Sequence, residues 1–197
     1  MALIASRDSS NNIPKLAPGT YQACCCAVID LGRQYNEKWE KTQNKIMLMW
    51  DIVGESIEID GEERPRRLSK QYTNSLSEKA TLTKDINSWR GKPFSEDELK
   101  AFDLTRLINA GCLLNVIHEN RNDKTYATIC AIVAPPKGTK IEPISEPIIY
   151  DADNHNEAAF GQLPGWVQDM IRNSEQWKDR NKADSLEPDA TDDDLPF

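Results

Sequence analysis

The chain has 197 residues, of which 39% are hydrophobic and 28% are charged. This length fits one domain, or one domain with a tail, and the apolar share excludes a chain that is disordered throughout. No run approaches about 18 uninterrupted apolar residues, so no membrane span is expected. Residues 1–12 lack a secretion signal, and the five cysteines have no zinc-type spacing. We expect a cytoplasmic protein with reduced thiols.

The net charge of −8 is unevenly distributed along the chain. Residues 1–150 contain 20 basic and 20 acidic side chains, whereas residues 151–197 contain 4 and 12. A block of like charge at one terminus is typical of a disordered, interacting tail. The composition therefore predicts a flexible leader (1–15), a neutral folded body (16–150), a helical extension packed on it (151–180) and a disordered acidic tail (181–197).

Apolar and alternating segments predict five strands, at 20–31, 45–53, 66–73, 112–118 and 125–133. The polar stretches between them at 33–44, 54–65 and 119–124 are predicted loops. Because the first three strands follow one another closely, we expect an antiparallel meander. The last two should form a hairpin.

Helical signals lie between the third and fourth strands and again near the end of the body. Ser75 with Glu78, and Ser95 with Glu98, each have the spacing of a capping box. Trp89 is expected in the core. Apolar residues from 163 to 177 follow helical spacing and predict one C-terminal helix.

The order of three strands, a helical insertion and two strands is that of the OB-fold. This small Greek-key barrel binds oligonucleotides or oligosaccharides on the face of strands two and three and on the loops joining strands one to two and four to five. Other five-stranded barrels have the same order of elements, so they are kept as alternatives to the OB-fold. We predict a mainly β chain built on a five-stranded OB-fold barrel.

Basic and aromatic side chains are interleaved in three places, which is the chemistry that single-stranded nucleic acid requires. The first cluster contains Arg33, Tyr35, Lys38, Trp39, Lys41 and Lys45. The second contains Arg64, Arg66, Arg67, Lys70 and Tyr72. The third contains Arg121, Lys124 and Tyr126, and Arg90 and Lys92 are further candidate phosphate contacts. On the predicted barrel all three clusters fall on the ligand groove.

The aromatic residues of these clusters have different expected roles. Trp39 lies in a polar stretch without apolar neighbours and is the preferred stacking residue. Trp50 alternates with apolar residues and is expected in the core, whereas for Tyr72 stacking and burial are equally favoured.

Residues for catalysis or cofactor binding are not recognisable in the sequence. His118 and His155 lie 37 positions apart in different contexts, and neither pairs with a nucleophile. The acidic loop at 151–155 lacks the glycine and terminal glutamate of a calcium loop. We therefore predict a non-catalytic protein without a metal or cofactor.

The last residues of the chain resemble the acidic tip of bacterial single-stranded DNA-binding proteins. The residues that carry this resemblance are Asp192, Asp193, Asp194, Leu195, Pro196 and Phe197. The resemblance implies that the tip docks on replication, recombination and repair enzymes. The aspartates would meet a basic rim there, and Phe197 would enter an apolar pocket with its carboxylate paired to a base.

The body is similar to phage-encoded single-stranded DNA-binding proteins. The similarity rests on Pro18-Gly19-Thr20-Tyr21, Ser69-Lys70-Gln71-Tyr72-Thr73, Ser88-Trp89-Arg90-Gly91-Lys92-Pro93-Phe94 and Leu163-Pro164-Gly165-Trp166. It implies an OB-fold that coats single strands during phage replication and recombination, inside a bacterial cell.

The sequence thus predicts a single-stranded DNA-binding protein with little sequence preference. Its partners would be single-stranded DNA and, through the tip, host replication and repair proteins. No membrane association is expected, and a homodimer is kept as an alternative to a monomer. The alternatives are a recombination mediator or strand-annealing protein, and an adaptor that acts through the tail without binding DNA. A nuclease is disfavoured, since no acidic cluster has metal-site spacing.

Overall fold

The computed structural model describes residues 14–37, 40–59, 61–122 and 124–184. The predicted site residues Lys38 and Trp39 and the tip residues Asp192–Phe197 lie outside these ranges. The strands are β1 (Gly19–Asn36), β2 (Lys41–Ile59), β3 (Glu62–Thr73), β4 (Gly111–Arg121), β5 (Lys124–Val133) and β6 (Ile148–Tyr150). The helices are α1 (Thr81–Arg90), α2 (Glu96–Lys100), α3 (Glu157–Gly161), α4 (Gly165–Arg172) and α5 (Glu175–Asp184), with a 3₁₀ turn at Leu104–Leu107.

The prediction of a mainly β chain is confirmed. Among the described residues, the five longer strands form one antiparallel sheet in the order β3-β2-β1-β4-β5, and the short β6 pairs in parallel with β1. The sheet curls into an open half-barrel. The predicted meander of β1, β2 and β3 and the β4–β5 hairpin are both present.

Strand β1 is the centre of the sheet and carries its bend. Its first part pairs with β4 and its longer second part with β2, and its register with β2 shifts between Cys25 and Ala27 and again between Asp30 and Gly32. Such bulges bend a strand and increase its twist. Gly32 has a φ of +75°, and a Cβ at this position would lie 2.8 Å from the Ser174 Cβ. Glycine therefore lets the end of α4 and the start of α5 rest on β1.

The two faces of β1 and β2 are covered by different elements. On the inner face of the curl, Trp50 and Ile52 pack with Ile86 and Trp89 of α1, and the two tryptophan rings are 5.9 Å apart. The opposite, outer face packs against α3 and α4, where Met47 and Met49 meet Phe160, Val167 and Ile171. Burial of Trp50 and Trp89 in the core is confirmed. Because both faces of β1 are buried, successive side chains of this strand are apolar, which explains the continuous apolar run in its sequence.

The predicted loops at 33–44 and 54–65 are largely strand. Arg33 pairs with Asn44 and Asn36 with Lys41, so the β1–β2 hairpin extends as a polar ribbon as far as this last pair. Strands β2 and β3 likewise stay paired as far as Ile59 and Glu62. Backbone ladders hold both ribbons together. Residues 33–44 show no apolar alternation, and in the second ribbon Ile57 and Ile59 alternate with Ser56 and Glu58 over only four residues, which is too short a signal to predict the strand.

The two capping boxes have different outcomes. The box at Ser95 is confirmed, since its hydroxyl accepts from the Glu98 amide and the Glu98 side chain accepts from the Ser95 amide. The box at Ser75 is wrong: α1 begins at Thr81, its N-cap residue Ala80 makes no side-chain bond, and Ser75 Oγ accepts from the Ser77 amide. The sequence predicted that the Ser75 hydroxyl caps α1, whereas in the structure this hydroxyl stabilises a local turn.

The single predicted helix over 163–177 is also corrected. The described residues place α4 and α5 there as separate helices, preceded by α3. Buried Ser174 lies at the break between α4 and α5, and its hydroxyl accepts from the Trp177 amide. The predicted disordered tail from 181 begins within α5, and residues 185–197 lie outside the described ranges. Within the described ranges, none of the helices has the length and apolarity needed to cross a membrane.

Candidate nucleic-acid interface

A cleft of about 550 Å³ lies where the two edge strands of the sheet, β3 and β5, approach one another. Its lining also includes part of β2 and the segment that precedes β1. We call it the edge cleft. It is lined by Lys15, Leu16, Ile57, Arg66, Arg67, Leu68, Lys124, Thr125, Tyr126 and Ala127. The volume is in the range of pockets that hold a small organic ligand, which includes one nucleotide.

Three of the four basic side chains that line the edge cleft have no acidic partner among the described residues. Lys15, Arg66 and Lys124 make no ion pair with another described residue, and no aspartate or glutamate belongs to the lining. A concave surface lined by charge of one sign concentrates its field. The unpaired basic side chains therefore make the edge cleft electropositive.

The same cleft offers an aromatic ring and an apolar floor. Tyr126 is 47% exposed, whereas Leu16 is buried and Leu68 is partly buried against the inner core. An exposed ring beside lysines and arginines is the combination that binds stacked bases and their backbone. Arg66, Lys124 and Tyr126 were predicted as site residues from two separate clusters, and the fold brings them together.

Lys15 is a cleft residue that the sequence did not reveal, because it lies in the predicted flexible leader. The segment around it is held in place by side chains of the sheet. His118 Nε2 donates to the Leu16 carbonyl over 2.8 Å, and the Tyr21 hydroxyl donates to the Ala17 carbonyl over the same distance. The signal that the sequence offered was a single lysine four residues before β1.

Arg67 lines the cleft but its guanidinium is committed elsewhere. Its Nε donates to Asp51 Oδ1 over 2.8 Å, and Ser145 bonds to both side chains. Asp51 is fully buried. Burial opposes the charged form of Arg67, yet the hydrogen bond to Asp51 leaves its pKa raised. This pair joins β2, β3 and the segment after β5, so we assign Arg67 to the fold.

Lys70 and Tyr72 are likewise engaged within the body. Lys70 Nζ and the Tyr72 hydroxyl both donate to Asp85 Oδ2 of α1, over 2.7 and 2.9 Å. Tyr72 is 3% exposed, and burial, followed by the charge of Asp85, raises the pKa of its hydroxyl. Of the two roles left open for Tyr72, the structure places it in the core.

Arg90 fastens the helical insertion. Its guanidinium carbon lies 4.8 and 5.3 Å from the ring centroids of Phe94 and Phe102, and its Nη2 bonds Glu98. The bond from Arg90 lowers the pKa of Glu98 to about 2, with help from the Ser95 amide. Lys92 is exposed beside this group, remote in sequence from the edge-cleft lining.

The remaining predicted residues lie in two other places. At the β1–β2 hairpin, Tyr35 is 59% exposed and Lys41 is also exposed. Lys45 donates to Thr73 Oγ1 over 2.8 Å, and Arg33 forms an ion pair with Glu175 of α5. Arg64 and Arg121 pair with the neighbouring acids Glu62 and Glu119.

The edge cleft lies beside the middle of β3, at Arg66, and the β1–β2 hairpin projects beyond the end of this strand, where Thr73 pairs with Lys45. From Arg66 to Thr73 the strand advances about 23 Å at roughly 3.3 Å per residue. Ser69 and Gln71, between them, are exposed. The outer face of β2, in contrast, is covered by α3 and α4, so the predicted groove on the face of strands two and three is open only along β3.

One acidic cluster has the composition of a cation site. Carboxylate oxygens of Asp30, Asp151 and Asp153 lie within 4.8 Å of one another. Asp30 accepts from the Gly32 amide and Asp151 from the Asp153 amide, at 2.8 and 2.9 Å. These local turns already account for the positions of two of the acids.

Comparisons of the chain with protein-family models, with curated proteins and with solved structures find no match.

Proposed function

We propose that this chain is a non-catalytic protein that binds single-stranded DNA, with little sequence preference, and coats it during phage replication or recombination. The observation that carries the proposal is the edge cleft, where Lys15, Arg66 and Lys124 surround exposed Tyr126 without an acid in the lining. Phosphates would lie against the basic side chains and a base would stack on the tyrosine.

The order of elements supports an OB-like barrel as the scaffold. An OB barrel has the same neighbours β3-β2-β1-β4-β5 and a helix between β3 and β4, which is where α1 and α2 lie. Here β3 and β5 share no ladder within the described residues, so the barrel is open at the position of the edge cleft.

A bound strand would follow β3 from the edge cleft to the β1–β2 hairpin. The path would follow the free edge of β3, where the exposed Ser69 and Gln71 contribute polar groups from the face opposite Arg66. Tyr35 and Lys41 offer a second aromatic and basic pair at its end. The path of about 23 Å is compatible with the roughly 4–16 nucleotides that one OB-fold occupies.

Low sequence preference follows from the chemistry of the cleft. Its floor is apolar, and stacking tolerates every base because each has a flat π face. Phosphate contacts carry no sequence information. The acidic tip, by its resemblance to bacterial tips, would recruit replication and repair proteins to the coated strand.

The test is a titration of fluorescein-labelled oligothymidine, followed by anisotropy at several salt concentrations. The wild-type protein should bind, and the logarithm of its affinity should fall linearly with the logarithm of salt concentration. The double variant Arg66→Ala/Lys124→Ala should bind more weakly, with a slope smaller by about 1.4, because each lost single-strand phosphate contact removes about 0.7.

Lys137→Ala is the matched control, since Lys137 is exposed in the turn after β5 and no salt bridge of its own is found among the described residues. It should bind like the wild type. Absent or salt-independent binding by the wild-type protein would contradict the proposed function, and equal loss in the control would contradict the assigned site.

A further inference from the structure

Helix α5 is bonded to the β1–β2 hairpin through one carboxylate, which contacts both strands. Glu175 Oε2 accepts from Arg33 Nε of β1 over 3.1 Å, and Glu175 Oε1 accepts from Thr42 Oγ1 of β2 over 2.8 Å. Asp179, one turn further along α5, lies 4.0 Å from Arg33 Nη2. The guanidinium thus has two acids beside it, in the way that it would meet the oxygens of a phosphate.

The rest of the α5 interface is mostly polar. Gln176 Oε1 accepts from the Arg33 amide over 2.7 Å, and the Trp177 ring stacks on Phe160 with centroids 4.9 Å apart. The ion pairs of Arg33 are about half exposed, and exposed ion pairs contribute little and weaken as salt rises. The ionic contacts of α5 with the hairpin can therefore be replaced by another anion, whereas the Trp177 ring also packs on Phe160 and His155.

These contacts compete directly with a nucleic acid. The hairpin end of the proposed path presents Arg33, Tyr35 and Lys41, and the first of these is occupied by Glu175 and Asp179. A phosphate near Arg33 would be repelled by both carboxylates. Binding of a strand at the hairpin and docking of α5 therefore oppose one another.

We propose that α5 is a displaceable latch: phosphates of a bound single strand take Arg33 from Glu175 and Asp179 and release α5 from the hairpin. This inference rests on the proposed function. Because α5 leads directly into residues 185–197, its release changes the reach of the acidic tip. By linkage, whatever stabilises docked α5 weakens strand binding by the same factor.

The test combines hydrogen exchange with a binding titration on the full chain. In the wild-type protein, amides of α5 should exchange faster when saturating oligothymidine is added, while amides of β4 should not. The double variant Glu175→Gln/Asp179→Asn should bind oligothymidine about five-fold more tightly at low salt, and this advantage should vanish as salt rises.

Asp169→Asn is the matched control, because the Asp169 side chain forms a comparable exposed pair with Arg172 within α4 and bonds no hairpin residue that the structure describes. Its affinity should equal that of the wild type. If the wild-type protein binds while α5 exchange stays constant or slows, the latch is wrong and the proposed function stands. If the wild-type protein does not bind, the latch falls together with the proposed function.

Discussion

Tyr126 leaves about half of its surface exposed at the mouth of the edge cleft, two residues beyond Lys124 on β5. Its strand partner is Glu119, which is engaged by Arg121. No hydrogen bond to another described residue holds its hydroxyl. Neither burial nor a polar contact to another described residue accounts for an aromatic ring at this position, and the proposed base stacking would give it a role.

The first prediction concerns this ring. Tyr126→Ala should weaken binding of oligothymidine by about 1–3 kcal/mol, the contribution of one stacked base. Tyr126→Phe keeps the flat face and should bind nearly as well as the wild type. Anisotropy titrations give the affinities. Thermal melting should show little change for either variant, and a large loss of stability in the alanine variant would mean that the ring belongs to the core.

Arg67 has the opposite role, and this leads to the second prediction. Arg67→Ala would leave the carboxylate of Asp51 buried without its charged partner, so the free energy of unfolding should fall by about 3–5 kcal/mol. Urea unfolding measures this loss. Oligothymidine affinity, determined where the variant is folded, should stay close to that of the wild type. Reduced affinity with intact stability would move Arg67 into the binding site.

Single residues set the limit of prediction from the sequence. The basic cluster on β3 was visible, but Arg66 faces the edge cleft and its neighbour Arg67 faces Asp51, because successive side chains of a strand point to opposite faces. The acid that neutralises Arg67 lies 16 positions earlier on β2. Only the strand register shows that the two meet.

Among the elements, α1 and α2 are joined to one another by one group of contacts. Arg90 at the end of α1 lies against the rings of Phe94 and Phe102 and bonds Glu98 of α2. The same carboxylate completes the capping box with Ser95. Loss of the charge on Glu98 therefore loosens the junction of both helices.

The third prediction follows from the pKa of Glu98, which the Arg90 bond lowers from 4.5 to about 2. A carboxylate with a depressed pKa stabilises the fold above its usual value and loses this effect as pH falls toward the folded-state value. Glu98→Gln should thus be less stable than the wild type at pH 7. The difference should shrink between pH 4.5 and pH 2, as followed by urea unfolding. A difference independent of pH would contradict the role of the charge.

Predictability also differed between elements. The strands with an apolar inner face were recovered, because alternation marks them. The polar ends of the β1–β2 and β2–β3 hairpins were not, since backbone pairing alone extends them. The break between α4 and α5 at Ser174 was missed because apolar spacing continues across it.

On the scale of the whole molecule, charge is separated between a neutral body with a basic cleft and an acidic C-terminal segment. Residues 151–197 carry 12 acids against 4 bases. A polyanionic segment and a DNA strand would both be attracted to the same basic side chains. Competition between them for these side chains would be strongest at low salt, where screening is weak.

The fourth prediction is that deletion of residues 192–197 leaves single-strand affinity equal or raises it, most visibly at low salt. The same deletion should abolish capture of host replication and repair enzymes in a pull-down with purified proteins. Removal of Phe197 alone should abolish capture of those enzymes but change single-strand affinity little, because the aspartates remain. Much weaker DNA binding after the deletion would show that the segment is part of the binding body.

The open seam between β3 and β5 also bears on how the protein behaves at high concentration. Unpaired strand edges are templates for pairing between molecules, and natural proteins protect them with proline and charge. Pro65 interrupts the donors of β3, and Arg66 and Lys124 place like charges on the two edges. The residues that we assign to phosphate binding would thus also oppose edge-to-edge pairing between copies of the chain. Neutralising them for a binding experiment should favour aggregation, so light scattering belongs beside every titration of the Arg66→Ala/Lys124→Ala variant.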